Sequence, residues 1–266
     1  MKTIYLDKDT IQEHHSTEQS VLALGNFDGL HLGHSAVIDK AKQIADRKKL
    51  SLAVMSFSPH PKTVLGKDIQ AFNHLMPIKE KERRLAMMGV DLFYIVEFNR
   101  AFARLSPESF ETNYLLHLGA KAVVAGFDYA YGYKGEGNLA SLKQRQSDLE
   151  VIEVDKVEWD GEKISSTLIR QCLHQGNVAK MKTLLGESYQ TECERVNGSV
   201  VVKPYYTVPT PGRYHIRMIQ GEKSYIDVAT VCREGRVTLE SGKPNFEPNQ
   251  EPLFIEWNEQ VELIRN

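Results

Sequence analysis

The run Gly25-Asn26-Phe27-Asp28-Gly29-Leu30-His31-Leu32-Gly33-His34 concentrates groups that can hold a phosphate. The apolar run before it, Val21-Leu22-Ala23-Leu24, reads as a buried strand, and Val37, Ile38, Ala41, Ile44 and Ala45 after it mark one face of a helix. A glycine-punctuated turn between strand and helix leaves backbone N–H groups unpaired at the positive end of the helix, which suits an anion. His31 and His34 add side-chain donors at the same place, and Gly33 keeps a Cβ out of the way of an approaching ligand. The same spacing also suits two surface histidines. A zinc reading is open too, but no cysteine or third histidine lies close by in sequence to complete a tetrahedral set.

Three further segments carry chemistry. His60 stands between Pro59 and Pro61, directly after the apolar run Leu52–Phe57, so a stiff, non-helical turn holds it at a strand end. An ordinary proline turn with an exposed imidazole reads the same way. Gly126-Phe127-Asp128-Tyr129-Ala130-Tyr131-Gly132-Tyr133-Lys134-Gly135-Glu136-Gly137 has four glycines and four aromatics, a poor core segment and a suitable binding loop. Aromatic faces stack on flat heterocycles, glycines allow close approach, and Asp128 can accept hydrogen bonds. Finally, Ser165-Ser166-Thr167 leads into a helical pattern with Arg170 one turn on. That is either a serine cap alone or a second anion site.

The elements that must position these groups alternate. Strands are expected around Ile4 and Leu6 and at Val21–Leu24, Leu52–Phe57, Leu92–Val96, Ala122–Ala125 and Val151–Val154. Helices are expected after His34, over Lys79–Met88, and from the Ser106-Pro107-Glu108 start with Phe110, Tyr114, Leu115 and Leu118 inward. A last helical pattern runs from Leu168 through Leu173, Val178, Met181, Leu184 and Leu185 to Gly186. His14-His15 falls in a polar connector, and Lys67–Pro77 reads as an excursion. A βαβ unit implies a parallel, Rossmann-like sheet that binds ligands beyond its carboxyl edge, where strand order reverses. From about Tyr189 the texture turns to short strands, Val200–Val202, Tyr214–Met218, Tyr225–Val228 and Leu253–Trp257, the pattern of a small all-β barrel. The expected domains are therefore 1–186 and 187–266.

Bulk properties narrow the class. Hydrophobic residues make up 41% and charged residues 26%, as in a soluble globular protein, and the net charge of −2 exerts no general pull on nucleic acid or membrane. Any anion must be held by local donors. Three scattered cysteines, Cys172, Cys193 and Cys232, and the absence of a leader-like apolar N-terminus fit a cytoplasmic protein.

The His31-Leu32-Gly33-His34 run is similar to the His-x-Gly-His signature of α/β nucleotidyltransferases. More closely, the chain resembles the prokaryotic bifunctional riboflavin kinase/FAD synthetase family through Gly25–His34, Phe57–Pro61, Glu80-Lys81, Leu105-Ser106, Gly126–Gly137 and Ile164–Arg170. The resemblance implies transfer of AMP from ATP to FMN, giving FAD and pyrophosphate. It implies that His31 and His34 contact ATP phosphates, in a loop shaped by Gly25, Asn26, Phe27, Asp28 and Gly33. Ser165, Ser166, Thr167 and Arg170 would hold the triphosphate, and His31, His34 and Arg170 would be the catalytic set. His60, Pro61, Asp128, Tyr129 and Tyr131 would lie on the flavin side, the two tyrosines replacing the family's phenylalanines. Mg²⁺ is expected with ATP, and no dedicated metal cage is visible.

The second domain departs from that family. Its kinase barrel carries a Gly-Phe-Pro-Thr-Ala-Asn run after the first strand, whereas here Gly198–Val202 leads into Lys203-Pro204-Tyr205-Tyr206-Thr207-Val208-Pro209. The expectation is an FMN adenylyltransferase with a degenerate kinase barrel. The expected partners are ATP and FMN, with self-association open. A flavin- or nucleotide-binding regulator without turnover, a bifunctional enzyme with residual kinase activity, and an adenylyltransferase for another phosphorylated acceptor are the alternatives.

Overall fold

The computed structural model describes residues 1–13, 18–66, 73–196, 199–232, 236–242 and 251–263. His14-His15, Gly198 and the first part of the expected excursion, 67–72, lie outside the described residues. The chain forms two compact units, Met1–Phe72 with Ile78–Val157, and Asn73–Pro77 with Glu158–Asn266. The change of texture at 186/187 sets the domain break in sequence. By packing, the second unit begins at Glu158, because the helices Ser166–His174 and Met181–Leu185 group with the barrel.

The first unit is a six-stranded parallel sheet in the order Lys2–Leu6, Leu92–Glu97, Ser51–Ser58, Ser20–Leu24, Ala120–Gly126, Glu150–Val154. The inner strands are continuous apolar runs, and every residue of Ser20–Leu24 is buried, as expected where both sheet faces are covered. The chain winds one way from Ser20–Leu24 to Leu92–Glu97 and then the other way through Ala120–Gly126 and Glu150–Val154. Strand order therefore reverses between Ser20–Leu24 and Ala120–Gly126, which makes their carboxyl ends the natural ligand crevice. The helix Leu32–Lys48 buries Val37, Ile38, Ala41, Ile44 and Ala45, the face read from the sequence.

Two helical expectations change in detail. After the Ser106 cap the chain runs as α-helix only over Pro107–Phe110 and then widens to a π turn over Glu111–Leu116. Phe110, Tyr114, Leu115 and Leu118 are nonetheless all buried. The π turn delivers Glu111, fully buried, to Arg145 and Gln146. Arg145 Nε donates at 3.0 Å, Gln146 Nε2 at 3.1 Å and the Tyr131 hydroxyl at 2.6 Å. The pattern ending at Gly186 is two helices, Ser166–His174 and Met181–Leu185, broken where Gly176 takes φ +77°. Val178, Met181 and Leu184 stay buried across the break.

The second unit contains a closed antiparallel barrel of six strands, in the order Tyr189–Val196, Ser199–Val202, Arg236–Leu239, Lys223–Val231, Gly212–Gln220, Leu253–Leu263. Tyr214 and Trp257 meet edge to face at 5.6 Å in its interior, and Trp257 Nε1 donates to Thr191 Oγ1 at 3.1 Å. Among the described residues no helix is long and apolar enough to cross a membrane.

The Glu111 cluster yields a stability prediction. Burial disfavours the Glu111 carboxylate, but hydrogen bonds from Arg145, Tyr131 and Gln146 outweigh it and hold its pKa below the ordinary 4.5. Its contribution is complete above that pH and is lost as pH falls through the lower folded value. Arg145→Met leaves the carboxylate buried without its cation and should cost about 3–5 kcal/mol in urea denaturation at neutral pH. The gap from wild type should narrow as Glu111 protonates in acid. An unchanged midpoint at neutral pH would contradict this account.

Candidate functional site

The turn after Ser20–Leu24 is built from unusual backbone. Phe27, Gly29 and Leu30 have φ of +49°, +88° and +43°, and the Phe27 and Leu30 side chains are buried. A Cβ on Gly25 would meet the Phe27 ring at 3.0 Å, so glycine lets that ring fold back under the turn. His31 caps the helix Leu32–Lys48, its Nδ1 accepting from the His34 N–H at 3.2 Å. An accepting Nδ1 carries no proton, so this geometry sets the neutral tautomer with N–H at Nε2. The His31 and His34 rings stack at 3.6 Å and 17°, and Phe27 lies edge-on to His34 at 5.3 Å. Both histidines thus stand at the positive end of a 17-residue helix.

Beneath the turn lies a group that the sequence reading matched but gave no role. Lys81 is 4% exposed, and its ammonium donates to the Asn26 carbonyl at 2.8 Å and to Ser56 Oγ at 3.0 Å. Ser56 Oγ in turn donates to the Asn26 carbonyl at 2.8 Å. Burial pushes the Lys81 pKa down to about 8, with the Asp28 carboxylate acting in the opposite sense. Asp28 is itself buried. The available signal was position: Lys81 lies four residues before buried Leu85, on the inward face of the helix Ile78–Met87.

On either side of this turn, the segments after Ser51–Ser58 and Ala120–Gly126 line a cavity of about 500 Å³. Phe57, Pro61, Phe98, Phe102, Tyr129 and Tyr131 form much of its wall. Phe57 contacts Phe98 at 6.0 Å and Phe102 at 5.6 Å, and Phe110 contacts Tyr131 at 5.1 Å. Tyr129 and Tyr131 are near parallel, 26° apart with centroids at 6.0 Å. Burial raises the pKa of Tyr129, and burial followed by the Glu111 hydrogen bond raises that of Tyr131, so both stay neutral phenols. Gly137 fits closely against Tyr131, since a Cβ there would come within 2.6 Å of the ring.

The remaining expected residues divide. Pro61 lines the cavity, while His60 caps the short helix Pro61–Leu65, its Nδ1 accepting from the Lys62 N–H at 3.1 Å. Asp128 and Phe127 are exposed and do not line the cavity. Ser165 caps the helix Ser166–His174, accepting from the Leu168 N–H at 3.2 Å. Arg170 donates to the Ser166 carbonyl at 3.2 Å and to the Asn73 carbonyl at 3.4 Å, and Thr167 is exposed. These four belong to the second unit. Phe98, Phe102, Phe110 and Glu111 were missed as site-forming residues; the spacing of Phe98 and Phe102 was the one available sign. Among the described residues, no group of three or more histidine, cysteine or carboxylate side chains could hold a metal.

Known proteins are similar to this chain. The family model described as FAD synthetase matches residues 13–168. A bifunctional riboflavin kinase/FMN adenylyltransferase of Listeria monocytogenes is 38% identical over 244 residues, covering 87% of this chain and 78% of its own. A protein named FAD synthetase from the same organism is 31% identical, covering 77% of this chain and 84% of its own. The crystal structure of a macrolide-efflux protein from Streptococcus pneumoniae matches with a TM-score of 0.87 at 31% identity, covering 97% of this chain and 99% of that one. The matched span holds the histidine turn, the proline turn and the aromatic loop together, and the chain belongs to the FAD synthetase family.

Proposed function

We propose that this chain transfers the adenylyl group of ATP to FMN, giving FAD and pyrophosphate, and that it does not phosphorylate riboflavin. The observation that carries the reading is the stacked His31–His34 pair at a helix N-terminus, at the reversal of strand order, with an aromatic cavity beside it. In this reading an FMN phosphate oxygen attacks the α-phosphorus of ATP, and the bond to the β-phosphate oxygen breaks. The phosphate monoester is already largely ionised at neutral pH, so no strong general base is required. The protein's task is to align two repelling anions and stabilise the charge that develops on the oxygens in flight. The His31 Nε2–H, His34 and the first N–H groups of Leu32–Lys48 supply donors, with Ser165, Ser166, Thr167 and Arg170 assigned to the triphosphate. Tyr129, Tyr131 and the phenylalanine wall receive the isoalloxazine ring, with His60, Pro61 and Asp128 assigned to the same side.

Magnesium arriving with a nucleotide takes oxygen ligands, mostly phosphate and water. The ion arrives as part of the substrate, and its charge would offset that of the triphosphate.

The kinase part of the reading rests on the segment after Ser199–Val202. Its Thr207 hydroxyl donates to the carbonyls of Asn73, at 3.1 Å, and His74, at 3.2 Å. The Tyr189 hydroxyl closes the other side, donating to the Thr207 carbonyl at 2.8 Å. A hydroxyl so engaged, with no Gly-Phe-Pro-Thr-Ala-Asn run around it, supports a barrel without a magnesium–nucleotide loop. The 38% identity to a protein named bifunctional favours the opposite outcome, and one assay decides. Purified protein with ATP and Mg²⁺ should convert added FMN to FAD and leave riboflavin unchanged over a long incubation. Sustained FMN formation from riboflavin would establish a working kinase; failure to convert FMN would overturn the reading as a whole.

Three variants probe the two halves of the site. His31→Ala and His34→Ala should each lower turnover on the order of 10²–10³-fold, the loss typical of one preorganised donor. Folded variants with near-normal turnover would make the turn structural only. Tyr129→Ala should weaken FMN binding roughly fivefold, from a lost stacking contribution of about 1 kcal/mol, and leave ATP binding unchanged. Equal weakening of both ligands in titration calorimetry would remove this loop from the flavin side.

A further inference from the structure

The Glu80-Lys81 pair, matched in sequence and left without a role, is drawn into the site by its geometry. Glu80 turns to Arg83 and Arg84, which donate to it at 2.8 Å and 2.6 Å. Lys81 turns the other way, into the protein, beneath the Gly25–His31 turn.

We infer that Lys81 is a positioning residue for adenylyl transfer: its buried ammonium pins the Asn26 carbonyl and so holds the strained turn that presents His31 and His34. The inference rests on the reading of that turn as the phosphate site. Three observations carry it. The turn contains two non-glycine residues in the left-handed region, Phe27 and Leu30, a conformation that persists only where the surroundings over-determine it. The Asn26 carbonyl, one residue before Phe27, accepts from both Lys81 and Ser56, and Lys81 also donates to Ser56, closing a triangle of hydrogen bonds under the turn. Finally, Lys81 is 4% exposed and Ser56 is 2% exposed, so water cannot replace either donor cheaply. A buried lysine is a costly way to make two hydrogen bonds, and its charge adds positive potential behind an anion site.

The groups that face Lys81 are few. The strand Ser51–Ser58 presents the Ser56 hydroxyl, and the turn presents the Asn26 carbonyl and the Asp28 carboxylate. On its own helix, Glu80 is engaged with Arg83 and Arg84. Loss of the Lys81 proton removes the charge and weakens the clamp, and burial brings that loss to about pH 8. An arginine at this position cannot lose its proton in that range. Removing the Ser56 acceptor makes the ammonium harder to keep charged, so it should lose its proton at lower pH.

The test is the pH dependence of kcat for FAD formation in wild type, Lys81→Arg, Lys81→Met and Ser56→Ala, with amide hydrogen exchange over residues 26–31. In wild type, kcat should fall on the alkaline side with an apparent pKa near about 8. Ser56→Ala should move that limb to lower pH, and Lys81→Arg should abolish it. Lys81→Met should lose about 100-fold in kcat at neutral pH, the scale of an ångström-sized misplacement, with KM for FMN unchanged and exchange over the turn faster. The inference is overturned if Lys81→Met is folded and retains wild-type kcat and exchange protection, or if the limb is identical in wild type and Lys81→Arg. Should Lys81→Met fail to fold, the Ser56→Ala and Lys81→Arg limbs decide. Exchange rates do not depend on turnover, so faster exchange in Lys81→Met beside unaffected turnover in His31→Ala would locate the failure in the phosphate-site reading.

Discussion

The tight turn after the central strand is the constraint on which the rest of the first unit depends. Holding Phe27 and Leu30 in the left-handed region costs on the order of 1–3 kcal/mol each. Burying their side chains, 1% and 6% exposed, returns about 1.5–3 kcal/mol each, so burial roughly cancels the strain. What tips the balance is the polar underside, where Lys81 and Ser56 converge on the Asn26 carbonyl. The turn then launches the helix Leu32–Lys48 with its two histidines already stacked at the N-terminus. A protein with a net charge of −2 has no diffuse attraction for a polyanion, so such a local, prearranged set of donors is the only means by which it could hold one.

The second wall of the site depends on the same sheet. The cavity-lining segments follow Ser51–Ser58 and Ala120–Gly126, which flank Ser20–Leu24, and Leu92–Glu97 beyond Ser51–Ser58, and a parallel sheet places all of these carboxyl ends on one edge. Tyr131 is fixed to that wall from behind by Glu111 and Arg145, so the π turn that interrupts the helix after Ser106 has a consequence at the cavity. The aromatic loop is therefore more rigid than its glycine content suggests.

The sheet was legible because its inner strands are apolar runs of strand length, each followed by a turn signal, and the Leu32–Lys48 face was legible from its spacing. The barrel was only half legible. Tyr189–Val196 alternates inward Tyr189, Thr191 and Cys193 with outward polar residues, but a buried threonine bonded to Trp257 hides the period in sequence. The break at Gly176 was hidden for the opposite reason: Val178 and Met181 keep an apolar spacing while the backbone leaves the helix. In the site, the histidines and tyrosines announced themselves by type. Lys81 did not, because a lysine in a charged helix reads as solvated unless its partners, a carbonyl and a hydroxyl distant in sequence, are known.

The central claim is that the α-phosphorus of ATP ends bonded to the FMN phosphate. ATP labelled with radioactive phosphorus at either the α or the γ position, incubated with the protein, Mg²⁺ and FMN, tests it directly once flavins are separated from nucleotides. The account predicts that α-label enters the flavin product in equal amount to the pyrophosphate released, and that γ-label appears only in pyrophosphate. Label from the γ position in flavin, or no label in flavin from either, would contradict it.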